Sequence, residues 1–234
     1  MQTPVMRARW TNLLLLTYEA PEGLLRQFIH PTLDLDRWNG RTHVSLVAFD
    51  FEDTRLFGVR IPGFTDFPEV NLRTYVRLGH HRGVVFIREL VPSRVIAAAA
   101  RAWYNEPYRR VPLTSHVQNV DGSVLTDRRW RANGQIHQIR SSALPGADIP
   151  EPSTIEHHFK EQAWGFGRRR SEQLLRYRVD HPPWAVRQLA EVSTEVGFGR
   201  TYGAEWEFLD RAQPISTIFA EGSGVAVYPP ERIQ

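Results

Sequence analysis

The sequence has no cysteine, which removes disulfides, thiolate nucleophiles and cysteine-based zinc sites together. Lysine is almost as scarce. Lys160 is the only one, so the positive charge is nearly all arginine, and amine chemistry has a single candidate. Long apolar runs are missing too. Leu13 to Leu16 is too short for a signal core, and no stretch reaches the ~20 apolar residues of a spanning helix. The expectation is a protein of the cytoplasm with no membrane partner. No Gly-x-Ser-x-Gly elbow and no Walker-type loop is present. Gly197-Phe198-Gly199 and Gly222-Ser223-Gly224 lack dinucleotide-fold spacing, so no nucleotide or other cofactor is expected.

What is there is ordinary globular composition over 234 residues, 41% hydrophobic and 24% charged. That length suits one large β-rich domain or two small ones. Net charge is +3, with acids interleaved among the arginines. The densest basic run, Arg168-Arg169-Arg170, reads as a solvated turn, and no nucleic-acid partner is expected.

Turn signals recur. Asn39-Gly40, Asp121-Gly122 and Asn133-Gly134 each sit between strand-like segments and predict hairpins, the last two bracketing a meander. Gly79 to Gly83 predicts another turn. The loop Pro145–Pro152 could divide two halves or lie on the surface. Helices are few. One is expected over 21–29 with Pro21 at its first position, and one over 93–104. A third should run from about Thr154 towards Gln162 behind the capping box Ser153-Thr154-Ile155-Glu156. The pattern predicts an α+β, β-rich domain, a curved antiparallel sheet or barrel with helices at its margins.

The most informative stretch is Glu69 to Val76. Alternation along a strand places Glu69, Asn71, Arg73 and Tyr75 on one face, with Val70, Leu72, Thr74 and Val76 on the other. An acid, an amide, a guanidinium and a phenol in one row can bind a small carboxylate through Arg73, with Glu69 placed for proton transfer. The same row can instead be a self-satisfied Glu–Arg network that only fixes the strand.

Phe67-Pro68-Glu69-Val70-Asn71-Leu72-Arg73-Thr74-Tyr75-Val76, followed by Gly83-Val84-Val85-Phe86, resembles the YqjF-like family of uncharacterised bacterial proteins. Ala100 to Tyr108, His181-Pro182-Pro183-Trp184 and Gly224 to Arg232 agree in order. That family resembles a branch of the acetoacetate decarboxylase-like superfamily. The resemblance implies a single domain over 1–234, a mostly antiparallel cone-shaped β-barrel with a closed pocket and the Glu69 row facing inwards. It also implies that Glu69 matches the catalytic acid. The Schiff-base lysine segment of those enzymes aligns with Glu106-Pro107-Tyr108-Arg109, which puts Tyr108 at the nucleophile's place and Arg109 at its cationic neighbour's. A phenol forms no imine and arginine is too basic to be an amine nucleophile, so Schiff-base chemistry is not expected. Lys160 falls outside that segment and is expected on an exposed helix face.

His157, His158 and Glu161 lack the second histidine of a zinc-protease helix, and no metal is expected. His181-Pro182-Pro183-Trp184 reads as a packed turn, with Trp184 as an apolar pocket wall in the functional reading. Glu69 and Tyr108 are therefore the candidate catalytic residues. Asn71, Arg73, Tyr75, Arg109 and Trp184 are the candidate ligand contacts. Three functions remain open: a binding module for a small molecule, a lyase or isomerase acting on a small oxo acid without a Schiff base, and a partner-binding domain with an inert pocket. Assembly into identical copies is left open as well.

Overall fold

The computed structural model describes residues 2–94, 96, 107–168 and 173–233. Most of the helix expected over 93–104, and Arg169 and Arg170, lie outside them. The described strands in chain order are β1 (Met6–Glu19), β2 (Asp34–Leu35), β3 (His43–Leu56), β4 (Val59–Arg60), β5 (Phe67–Leu78), β6 (His81–Val91), β7 (Tyr108–Arg110) and β8 (Leu113–Val120). They continue with β9 (Ser123–Ala132), β10 (Gln135–Ala143), β11 (Trp164–Arg168), β12 (Leu174–Asp180), β13 (Val186–Arg187), β14 (Leu189–Glu195), β15 (Ser216–Val227) and β16 (Glu231–Arg232).

Seven of these close a ring in the order β15-β1-β3-β5-β6-β11-β12, and β12 returns to β15 through Val179↔Val227 and Asp180↔Ala226. Every pairing in the ring is antiparallel except β6 with β11. Closure removes most free edges. The ring agrees with the β-rich architecture expected from the turn pattern. A separate antiparallel sheet, β14-β10-β9-β8, lies against its outer face.

Side-chain alternation sorts the apolar residues into two cores. On β5, Val70, Leu72 and Val76 face outwards, where Leu14, Leu16, Val44 and Leu46 join them against Trp130, Ile139 and Trp206. Phe67 and Tyr75 face inwards with Leu13, Leu15, Val47, Phe49 and Phe51. Strict alternation would not keep long strands in phase with a curving ring, and bulges correct it. Asn12 takes φ 54° at a register shift in β1, so Trp10 before it and Leu13 after it both point inside. A second shift lies where β6 passes β5. Val84 and Phe86 face inwards, Ile87 faces outwards, and Glu89 faces inwards again.

The turns behave as their residues dictate. Asp121-Gly122 and Asn133-Gly134 hold positive φ in two-residue hairpins that build the β8-β9-β10 meander. Asn39-Gly40 also turns with positive φ, but it closes only a bridge between Trp38 and Arg41. The strand before it, β2, pairs with β5 rather than with β3, so the hairpin expected there is a local turn. Phe57-Gly58 makes a further two-residue turn between β3 and β4, unannounced because phenylalanine at φ 48° is an unusual occupant. Pro21 is the N-cap of a four-residue helix, Glu22–Leu25, rather than its first residue. The loop after Leu144 is tied to Val186 by Asp148 through two backbone hydrogen bonds. No described helix is long and apolar enough to cross a membrane.

The short helix Ile155–Lys160 starts one residue later than the capping box suggests. Thr154 is its N-cap, and its hydroxyl accepts from the His157 N–H at 3.3 Å. This helix packs across the inside of the ring. Phe159 is fully buried with its ring 4.9 Å from that of Tyr75 and 5.1 Å from that of His43. Lys160 follows it inwards. The exposed helix lysine expected from sequence is instead 1% exposed, ion-paired with Glu161. A six-residue helix enclosed by a ring has no fully solvated face, so the amphipathic argument fails there.

Candidate functional site

Inside the ring lies a cavity of about 110 Å³. Its walls are mostly apolar and aromatic, including Trp10, Phe49, Phe67, Trp164, Tyr177 and Trp184. The polar groups gather on one side: Glu69, Asn71 and Arg73 from β5, Glu89 from β6, Tyr108 from β7 and Gln162 after the short helix. The cavity is therefore an apolar chamber with a polar side, rather than a polar chamber.

Glu69 is the centre of that side. It is 2% exposed, and its two oxygens accept from Asn71 Nδ2 at 2.9 Å and from the Tyr108 hydroxyl at 3.1 Å. Burial pushes its pKa up from 4.5 to about 7, against the lowering effect of those two hydrogen bonds and of the Arg73 charge. Desolvation outweighs its partners because the charged form loses more hydration than two neutral donors and one cation return. Tyr108 is driven the other way from any phenolate. Burial holds its pKa well above 10, helped by the negative charges of Glu69 and Glu89. It is a neutral donor at every physiological pH.

Glu89 was not singled out in the sequence. It is 2% exposed, stands opposite Asn71 on β6 and hydrogen-bonds Tyr108. The shift between β5 and β6 conceals it, because counting on by twos from Val84 and Phe86 reaches Arg88 and puts Glu89 on the wrong face. Gln162, at the end of the expected helix, carries no sequence signal for the cavity either. It is 8% exposed, and its Nε2 donates to the His158 carbonyl at 2.7 Å.

Arg73 reaches the carbonyl of Phe159 at 3.2 Å through Nη2, so the short helix and β5 hold it from both ends. Its Nε has no hydrogen-bond partner among the described residues. The same is true of Asn71 Oδ1, Gln162 Oε1 and Trp10 Nε1. Four buried polar atoms without partners, all on residues lining one cavity, are costly to leave so, at about 1–3 kcal/mol each. Trp184 lines the cavity at 3% exposure. Its indole donates to Ser223 Oγ at 2.8 Å, and the His181 ring stacks on it at 4.0 Å.

Two expected contacts are not brought to the cavity. Tyr75 does face into the ring, as alternation predicts. It sits beyond the cavity, under Phe159, with its hydroxyl in a buried chain through Ser45 to Thr17. Arg109 turns away altogether. Tyr108 pairs with Glu89 and Arg109 with the outward-facing Leu90, so one residue of strand separates a cavity group from a surface one. Arg109 donates to Asn133 Oδ1 at 3.0 Å instead. His158 of the short helix is occupied structurally. His158 accepts from Arg82 at 2.8 Å beside the buried Asp36, and burial followed by the Arg82 charge pulls its pKa down to about 4. Among the described residues, no three His, Asp or Glu side chains gather as a metal site would require.

Residues 7–224 match the family described as uncharacterized conserved proteins, DUF2071. The chain belongs to that family. A DUF2071 relative in Bacillus subtilis (strain 168), the uncharacterized protein YqjF, is 25% identical over 191 residues, covering 81% of this chain and 78% of YqjF. The ring is shared with solved structures of low identity. An acetoacetate decarboxylase-like enzyme from Sphingomonas wittichii RW1 superposes with a TM-score of 0.67 at 11% identity, over 99% of this chain and 94% of that one. The enduracididine biosynthesis enzyme MppR, complexed with pyruvate, superposes with a TM-score of 0.66 at 12% identity, over 100% and 92%. This DUF2071 chain is thus a YqjF-like protein with the acetoacetate decarboxylase-like fold, and at such identities the structural likeness carries the fold alone.

Proposed function

We propose that the cavity binds a small molecule with an apolar or aromatic body and an oxo or carboxylate head, without covalent attachment. The observation that carries this reading is the Glu69–Tyr108–Asn71 cluster, with Arg73 beside it, at one side of an aromatic-walled chamber. A guanidinium matches a carboxylate in two parallel hydrogen bonds. The cavity volume holds several waters or one compact organic molecule. That MppR holds pyruvate supports an oxo acid as the first class to try. Covalent attachment through an imine has no support here. Tyr108 offers no amine, and Lys160 is ion-paired with Glu161 and is not among the residues lining the cavity.

A thermal-shift panel of small oxo acids, hydroxy acids and aromatic carboxylates tests this. A ligand at a hundredfold excess over its Kd stabilises the fold by about 2.7 kcal/mol, which moves the Tm of a chain this size by roughly 5–10 °C. Arg73→Met should abolish the shift for acids. A panel flat for the acids would remove the carboxylate head from the proposal, and one flat for their amides as well would favour an inert pocket.

One observation favours a catalytic version of the same reading. A carboxyl group titrating at about 7 both donates and accepts protons at neutral pH. Proton exchange at the carbon next to a bound carbonyl would suit a lyase or isomerase. Such exchange is read directly by NMR as deuterium entering the ligand from D2O. Glu69→Gln should stop it while leaving the thermal shift in place, and exchange that survived would remove Glu69 from the chemistry.

A further inference from the structure

We propose that two copies of this chain pair through β8, antiparallel about a twofold axis at Val117, joining their outer sheets into one eight-stranded sheet. Exposed strand edges are templates for further pairing, and proteins blunt them with charges, brevity or proline. The other peripheral strands here are blunted. β2, β4, β7, β13 and β16 have two or three residues, each with at least one charge, and the far edge of the outer sheet, β14, carries Glu191 and Glu195. β8 is the exception. Its eight residues, Leu-Thr-Ser-His-Val-Gln-Asn-Val, contain no Asp, Glu, Lys, Arg or Pro. Among the described residues it forms the open edge of its sheet, and Val117 and Val120 are 37% and 48% exposed.

The hydrogen-bond phase fits a symmetric pair. The two-residue turn Asp121-Gly122 makes Val120 and Ser123 a hydrogen-bonded pair, and alternation then directs the backbone groups of His116 and Gln118 towards β9. The groups of Ser115, Val117 and Asn119 point outwards. An axis at Val117 sets Val117 against its own copy and Ser115 against Asn119 of the second copy, with outward groups opposite outward groups throughout. Both the contact and the reason for an uncharged strand follow from that register, since any charge at Val117 would face itself.

Analytical ultracentrifugation of the full chain should show a dimer of the 27.0 kDa protein. Val117→Lys should return a folded monomer, with the Tm that the wild type shows when diluted below its dissociation constant. Val117→Pro should do the same by deleting an outward N–H, and the lysine variant decides if the proline variant fails to fold. Cysteine is absent from the sequence, so single thiols report the register. Oxidised Val117→Cys should crosslink two chains, the Cα atoms of a hydrogen-bonded pair being about 5.5 Å apart. Ser115→Cys should not, because its two copies would stand about 14 Å apart along the strands, four steps of ~3.4 Å. A monomer at every concentration up to the solubility limit would overturn the proposal. So would a dimer indifferent to Val117→Lys, or crosslinking at Ser115 but not at Val117.

Discussion

Replacing Arg128 by leucine will cost the fold about 3–5 kcal/mol, read as a lowered urea midpoint. Arg128 comes from β9 of the outer sheet and has 0% exposure. Its Nη2 donates to Asp50 Oδ2 on β3 at 2.7 Å and to the Asn12 carbonyl at the β1 bulge at 2.8 Å. One side chain therefore ties the outer sheet to two strands of the ring, at the bulge that sets which way Trp10 and Leu13 face. Leucine would leave the Asp50 carboxylate and the bulge carbonyl without that donor. The large cost comes from these orphans rather than from the pair's own net worth, since a buried ion pair roughly offsets its desolvation. Removing Asp50 as well, in Arg128→Leu with Asp50→Leu, should recover a substantial part of the loss. If the single variant lay within about 1 kcal/mol of wild type, the pair would not be holding the layers.

How far the sequence could be read depended on phase. The Glu69 row was legible because β5 itself is regular through Tyr75, the extra residue at the shift belonging to β6, and alternation is reliable where no bulge intervenes. The Asp-Gly and second Asn-Gly hairpins were legible because the required positive φ leaves few other residue choices. Glu89 was hidden by the register shift beside Ile87, which nothing in Phe-Ile-Arg-Glu announces. Tyr75 has its predicted face yet lies outside the cavity, packed against Phe159, a contact that only the folded chain reveals. Arg109, matched to the cationic neighbour of the family's lysine, faces away because adjacent residues of a strand cannot share a face. Lys160 was misplaced for the reverse reason: a polar residue on a short helix is exposed only if that helix lies at the surface.

The Glu69→Gln variant will gain on wild type by about 3 kcal/mol as pH rises from 4 to 8. The sign follows from the two states. In the unfolded chain Glu69 loses its proton around 4.5, while the folded protein retains it to about 7. Between those values the folded state binds the extra proton, so wild-type stability from this group is full below 4.5 and is lost as pH rises through 7. Glutamine keeps the shape and cannot ionise, so its stability has no such slope. Wild type alone would conceal the effect. The buried His158 is held at about 4, well below its ordinary 6.5, and it adds stability as pH rises across an overlapping range. The two slopes oppose one another, and only the difference between variant and wild type isolates Glu69. Paired urea titrations at pH 4, 6 and 8 would measure it, and a difference that stays flat would mean Glu69 titrates alike in the folded and unfolded chain, is ionised at neutral pH and cannot be the site's proton carrier. A rising difference would mean that above pH 7 the fold tolerates an unfavourable buried carboxylate at the cavity wall. An isosteric amide would be the more stable choice there, so Glu69 would then be a residue whose acidity costs the fold stability, as the proposed proton exchange requires.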